Sequence, residues 1–203
     1  MASRQKVRQE HRLLTKRRML DAALEVFAER GYNGATVEDI VTVAGVARAT
    51  FYLHFKNKME VVERLTEEVH PGVVALYNDL DELIAANPVR VRQAIRPWIS
   101  RTMSWFEENR TMVVLWQEIS VSEPEFHISP AISVAESMPK YLAQWPEELR
   151  EQARLRIVLL IQLITRAFLL SRVRQALPAE DETLVDVIAD LWTAGLRQPP
   201  VNG

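Results

Sequence analysis

The sequence predicts an all-α protein: an N-terminal three-helix, helix-turn-helix unit joined by a connecting helix to a larger helical domain. Two observations carry this. Apolar residues recur at three- and four-residue spacing along nearly the whole chain. Only six glycines interrupt 203 residues, and the β-branched alternation that strands need is scarce.

Taken in order, the first helix runs from Leu13 to Glu29, with Leu20, Ala23, Leu24 and Phe27 on one stripe and Gly31 as its stop. The second opens at Thr36, and Asp39 three residues on completes a capping box with Asp in place of the usual Glu. Ile40, Val43 and Ala44 face inward, and Gly45 ends it. The third helix covers 47–55. A longer helix starts at Lys58; Pro71-Gly72 is expected to kink or split it before it resumes from Tyr77 to Ala86. Asn87-Pro88 reads as the cap and first-turn proline of a helix that reaches Glu108 and bends at Pro97. Residues 111–121 and 130–145 read as helical, parted by the loop "SEPEFHISP". Two long helices, 147–176 and 180–197, close the chain. Residues 1–15 are expected to form a flexible basic arm, 16–62 the helix-turn-helix unit and 63–203 the larger domain.

The formal net charge of −2 hides an asymmetry. Residues 1–64 hold twelve Lys/Arg against eight Asp/Glu, a net +4, while the rest hold thirteen against nineteen, a net −6. Such a split points to a basic end that meets a polyanion. The absence of cysteine excludes disulfides, thiol catalysis and cysteine-ligated zinc. No apolar run marks a signal peptide, and the most apolar stretch, "IVLLIQLITRAFLL", is shorter than the ~20 residues of a membrane span. A soluble cytoplasmic protein, with no membrane partner and no cofactor, is the expectation.

The segment "GVARATFYLHFKNK" at 45–58 concentrates the chemistry. On a helical wheel Phe51 and Phe55 fall one turn apart and seal the third helix against the first two. Ala49, Tyr52, Leu53 and Lys56 form a second face with Arg48 at its edge, and Thr50 and His54 flank the far side. Gly45 supplies the turn between two short helices, as in a helix-turn-helix, whose second helix enters the DNA major groove. Arg48 can fork onto guanine O6 and N7, and Ala49 permits close approach to the groove floor or a thymine methyl. Thr50, Tyr52 and His54 carry donors for phosphate oxygens. Lys58 and Thr36 stand at helix starts, where backbone N–H groups favour an anion.

"TVEDIVTVAGVARATFYLHFKNKMEVVERL" at 36–65, with the preceding "MLDAALEVFAERGYNGAT", resembles the DNA-binding region of the tetracycline-repressor (TetR) family of bacterial regulators. The turn glycine, the "TFYLHF" core and the following "KNK" occur together at the family's spacing. The resemblance, which covers about residues 16–65, implies an all-helical homodimer that represses by binding a near-palindromic double-stranded operator. It further implies release when a small-molecule effector enters the C-terminal domain. By position, Thr36, Arg48, Ala49, Thr50, Tyr52, His54 and Lys58 correspond to the family's DNA-contacting residues. Ala47 departs from the pattern, standing where members often carry a capping serine.

The arm "MASRQKVRQEHRLLTKRR" reads either as a strand of cations along phosphate or minor groove or as a solubilising tail; Arg17 and Arg18 are its best phosphate candidates. In the larger domain Trp98, Thr102 and Trp105 share a face and Trp116 recurs on the next helix, which reads either as plain core or as the wall of a pocket for a bulky apolar or aromatic molecule. Met103, Met112 and Met138 would make that wall adaptable. Gln162, Thr165 and Arg166 form one stripe of the 147–176 helix; Arg166 is either an interface ion-pair member or an anchor for an anionic ligand group. Leu184, Val187, Ile188, Leu191, Trp192 and Gly195 make a broad stripe on the last helix. With Leu184, Ile188, Leu191 and Trp192 as its interface, a four-helix dimer contact competes with packing inside one monomer.

Rival functions fare worse. An enzyme would need a phosphate loop, an HExxH or a nucleophile with a base, and none is present; His11, His54, His70 and His127 are widely scattered. A ligand-insensitive silencer or adaptor on the same fold, and activation in place of repression, stay open.

Overall fold

Leucine, lysine, arginine and glutamine fill the first eighteen residues with no glycine or proline among them, so nothing local stops a helix there. In the computed structural model, which describes residues 2–86, 90–122, 138–177 and 181–197, helix α1 accordingly begins at Ala2 and runs to Gly34. The helix thus starts well upstream of Leu13 and takes in the stretch expected as a flexible arm. Backbone geometry breaks only at Gly31, where φ is 66° and ψ 176°, a conformation open in practice to glycine alone.

Helix α2 (Val37–Ala44) has the cap that its sequence predicts: the Asp39 N–H donates to the Thr36 hydroxyl at 3.2 Å, and the Thr36 N–H donates to the Asp39 carboxylate at 3.0 Å. Gly45 ends it in the left-handed region at φ 61°. Val43, expected inside, is 47% exposed; Val41 takes its place beside Ile40 and Ala44. Helix α3 is only Arg48–Tyr52, without a side-chain cap at Ala47, and Phe55 reaches the core from the turn that follows.

Helix α4 (Lys58–Ala86) opens with a second reciprocal cap, the Glu60 N–H donating to Asn57 Oδ1 at 3.0 Å and the Lys56 N–H to the Glu60 carboxylate at 2.5 Å. It continues through Pro71 without the expected split. Packing holds it together: Val73, Leu76 and Tyr77 seat the following turns in the core. Gly72 has a different purpose, since a Cβ there would lie 2.8 Å from the Trp105 indole nitrogen. Helices α5 (Val91–Glu108) and α6 (Arg110–Ser122) follow, then α7 (Pro139–Ala143). Asn87, Pro88 and residues 123–137, including His127, lie outside the described residues.

The end of the chain is an antiparallel pair, α8 (Arg150–Phe168), extended by a π turn at Leu169–Val173, and α9 (Asp181–Leu196). Arg156 donates to the Gly195 carbonyl at 2.9 Å and Arg172 pairs with Asp181 at 2.7 Å, fixing the two ends. No strand occurs among the described residues.

Two apolar cores result. One joins Met19, Phe27, Ile40, Phe51, Phe55 and Val62, and it draws in Met112, Leu115 and Ile119 from α6. The other gathers Tyr77, Trp98, Phe106, Ile157, Phe168 and Trp192. Helices α4 and α6 belong to both, and Trp116 packs against each. The N-terminal core therefore extends past residue 62 and into the half of the chain that sequence assigned to the larger domain.

Candidate nucleic-acid interface

Helix α3 is held from beneath. Phe51 and Phe55 are almost wholly buried, their rings 5.5 Å apart, and Gly45 turns the chain so that the opposite face points outward. On that outer face Arg48, Ala49, Tyr52 and Leu53 are exposed, with Thr50 and His54 half-buried at the side. Arg48 lies over the Tyr52 ring at 5.8 Å, and its guanidinium stands 3.4 Å from the Tyr52 hydroxyl and 3.6 Å from Glu38. Such exposed pairs contribute little stability and release the side chain readily.

Beside α3 the basic start of α1 runs past His54. Residues His11, Arg12 and Thr15 of α1 face Thr50, Leu53 and His54 across a shallow groove. Burial, then the Arg12 and Lys16 charges, hold the His54 imidazole below its ordinary 6.5. Lys16 also lies 5.4 Å over the Phe55 ring. Sequence reading includes Arg12 and Lys16 in the 1–18 arm, read either as phosphate- or groove-following or as a tail, but singles out Arg17 and Arg18. The spacing of Arg12 and Lys16 on a longer α1 puts them beside His54.

Three cations expected at phosphate are engaged by the protein itself. Lys58 donates from Nζ to the carbonyls of Tyr32 at 2.6 Å and Ala35 at 3.0 Å and sits 4.2 Å over the Tyr32 ring, so it closes the end of α1; its burial lowers the ammonium's proton affinity. Arg18 donates to the Ala44 carbonyl at 2.6 Å and closes the end of α2. Arg17 bridges Asp21 and Glu68, each at 2.9 Å. The Thr36 hydroxyl is likewise occupied, at 2.6 Å from the Asp39 carboxylate. Thr36 and Arg30 together hold that carboxylate below its ordinary value.

The junction with the second core rests on Glu118 of α6, whose carboxylate accepts the Tyr32 N–H at 2.6 Å, directly beyond the Gly31 break. A Cβ at Gly31 would lie 2.8 Å from both Glu118 oxygens. Nothing in the local sequence signals this link across 86 residues.

In the second core the structure brings Trp98 and Thr102 together, both fully buried. The Trp98 N–H donates to the Leu76 carbonyl at 2.7 Å. Trp105 is half-buried against Gly72, and Trp116, also half-buried, donates to the Thr66 hydroxyl at 2.9 Å near the junction. Gln162 and Arg166 do not join them; both face solvent on α8. The expected dimer residues divide. Leu184, Ile188 and Trp192 are buried in this chain's own core, with Trp192 4.8 Å from Trp98, because α9 lies between α5 and α8. Leu191 alone of the four is exposed, at 48%. It shares the outer surface with Val187 of α9 and with Leu155 and Leu159 of α8.

A short glycine turn, a buried double-Phe seal and an outward Arg-Ala-Tyr face define a helix-turn-helix protein. Residues 19–65 match the bacterial regulatory proteins of the tetR family. That match covers the helix-turn-helix unit, under a quarter of the chain, and it is there that the chain is similar to the family. The transcriptional repressor KstR2 of Mycobacterium tuberculosis is 31% identical over 111 residues, 53% of this chain and 54% of its own. The regulator SrpR of Pseudomonas putida is 45% identical over 58 residues, 28% of this chain and 27% of its own. The matches thus span from about a quarter to about half the length of these curated relatives. A transcriptional regulator from Aquifex aeolicus shares the fold, with a TM-score of 0.61 at 20% identity over 89% of this chain and 98% of that one. No described helix is long and apolar enough to cross a membrane.

Proposed function

We propose that the chain is a dimeric repressor that reads a near-palindromic operator through α3 of each copy and leaves it when a small apolar or aromatic effector enters the second core. The observation that carries this reading is the outward face of α3. Arg48, Ala49 and Tyr52 project from a helix that Phe51 and Phe55 hold rigid, with no other element of the described chain covering them. Arg48 reads a guanine edge and Ala49 lies at the groove floor. Thr50, Tyr52 and His54 take phosphates, with Arg12, Lys16 and the exposed Lys56 beside them. Arg17, Arg18, Lys58 and the Thr36 hydroxyl act one step back, by fixing the helix ends that position α3.

The second subunit docks on the outer stripe of α8 and α9, where Leu155, Leu159, Val187 and Leu191 form an apolar surface that Gln162 and Arg166 border. That replaces the interface expected from Leu184, Ile188 and Trp192. Two α3 helices on a two-fold axis then reach successive major grooves about 34 Å apart. Release follows if the effector binds better to a conformer with a different separation. Helices α4 and α6, shared by both cores, carry the change, and Glu118 is where α6 grips the end of α1.

Selection of bound fragments from the source genome tests this directly. The expected result is one enriched inverted repeat, with affinity that falls steeply as salt rises. Enrichment of no symmetric site would refute the reading.

A further inference from the structure

Among the described residues the second core contains four side-chain polar groups that find no hydrogen-bond partner; one, the Tyr141 hydroxyl, lies beside Trp145, and the other three surround Trp98. The Tyr77 hydroxyl of α4, the Thr102 hydroxyl of α5 and the Trp192 indole nitrogen of α9 are all closed off from solvent and unbonded. They are neighbours. The Tyr77 ring lies 5.5 Å from Trp98 and the Trp192 ring 4.8 Å from Trp98 on the other helix, while Thr102 sits one turn along α5 from Trp98. An unsatisfied buried donor costs free energy that a neighbouring acceptor recovers. One such group is an accident of packing; three donors around one indole, drawn from three helices, form a site that lacks its acceptor.

The charge inventory narrows what the acceptor can be. Among the described residues no lysine or arginine is wholly buried; Arg150, at the start of α8, has a buried, unbonded Nε but is itself partly exposed. The one buried carboxylate among them, Asp81, is already taken by the N–H groups of Lys140 at 3.0 Å and Tyr141 at 2.7 Å. A charged guest would meet no counter-charge and would lose its hydration without return. Burial also holds the Tyr77 hydroxyl far above its ordinary value, so it remains a donor throughout the working pH range.

We infer that the effector, on the reading proposed above, is a neutral aromatic or apolar molecule bearing a hydrogen-bond acceptor such as a ketone, ester or ether oxygen, and that it docks beside Trp98 with this oxygen bonded to Tyr77 and Thr102. The core is closed over these groups, so binding draws on a conformer in which α4, α5 and α9 stand slightly apart.

Three probes with one ring test it on the full chain: acetophenone, ethylbenzene and benzoate, followed by calorimetry and by tryptophan emission. Acetophenone should bind at least as tightly as ethylbenzene, although it leaves water less readily, and benzoate should bind weakest. Tyr77→Phe and Thr102→Val keep shape and remove one donor each. Each should weaken acetophenone about five- to tenfold and leave ethylbenzene unchanged. Neither variant loses a hydrogen bond that the free protein makes, so each should melt at or above the parent temperature. A purely structural hydroxyl would give the opposite. The inference is overturned if no probe binds, if acetophenone ignores both substitutions, or if both variants melt well below the parent. Benzoate binding tightest and freeing operator DNA would overturn the ligand class while the effector reading stood. Acetophenone held through Tyr77 with the DNA complex untouched would support the site and refute the effector reading.

Discussion

Around α2 and α3 the polar atoms are closed in pairs: Thr36 with Asp39, Asn57 with Glu60, Arg18 with the end of α2, Lys58 with the end of α1. In the second core Tyr77, Thr102 and Trp192 are buried far more deeply than those pairs, and their polar atoms are bonded to nothing. The two regions differ in what they must hold still. On the proposed reading α3 works only if its outward side chains sit at fixed separation from those of a partner. The saturated caps of the flanking α2 and α4, with the buried Phe51 and Phe55, give it that rigidity although Ala47 leaves α3 itself uncapped. If, as proposed, the second core admits a guest, it gains from bonds left unmade, because the guest completes them. Specificity at one end faces outward from a finished scaffold; at the other it faces inward to an unfinished one.

The contrast can be broken in stages. The largest effect should come from charging the outer stripe with Leu159→Glu and Leu191→Glu together. We expect the dimer dissociation constant to rise roughly a hundredfold or more, since like charges would be buried unpaired. Sedimentation would read it, and an unchanged association state would remove α8 and α9 from the interface. Gly31→Ala comes next. The backbone there suits only glycine and the new methyl meets Glu118, so unfolding in urea should show a loss of about 2–3 kcal/mol.

Arg48→Ala and Lys58→Ala separate reading from support. The first should lower discrimination at one base-pair position by ~1–3 kcal/mol and leave stability alone. The second should cost about 1 kcal/mol of stability and keep sequence preference, since Lys58 serves two carbonyls. Equal behaviour of the two variants in operator-binding and melting assays would erase the distinction. The smallest effect concerns pH. In the free protein His54 holds its proton less tightly than an ordinary histidine, with Arg12 and Lys16 beside it. Phosphate oxygens would reverse that, so DNA affinity should rise a few-fold as pH falls through its titration, and His54→Gln should flatten the profile. Folding stability should move the other way, declining as pH drops below 6.5, because the unfolded chain then takes the proton more readily.

The reading end was legible in sequence because its signals are local. Thr36, Asp39 and Gly45 lie within ten residues, and Phe51 and Phe55 one turn apart reveal the buried face directly. What escaped were contacts made by long side chains across the fold. Lys58 and Arg18 look like phosphate ligands until the carbonyls 26 residues away claim them. In the last helix, periodicity shows that Leu184, Val187, Ile188, Leu191 and Trp192 are apolar, but it cannot say which of them face this chain and which a second copy. Only the placement of α5 beside α9 settles that Leu184, Ile188 and Trp192 turn inward. The Pro71-Gly72 pair misled for a related reason: proline weakens a helix locally, and neighbouring turns seated in a core outweigh it.

Position 31 has room for a hydrogen atom and nothing more while the carboxylate at 118 stands against it. Through descent the two sites are therefore tied: a side chain at 31 would meet residue 118 and strain a backbone that suits glycine alone, and a shorter residue 118 would give up the bond to the Tyr32 N–H. Related sequences that keep this junction should keep glycine and glutamate together.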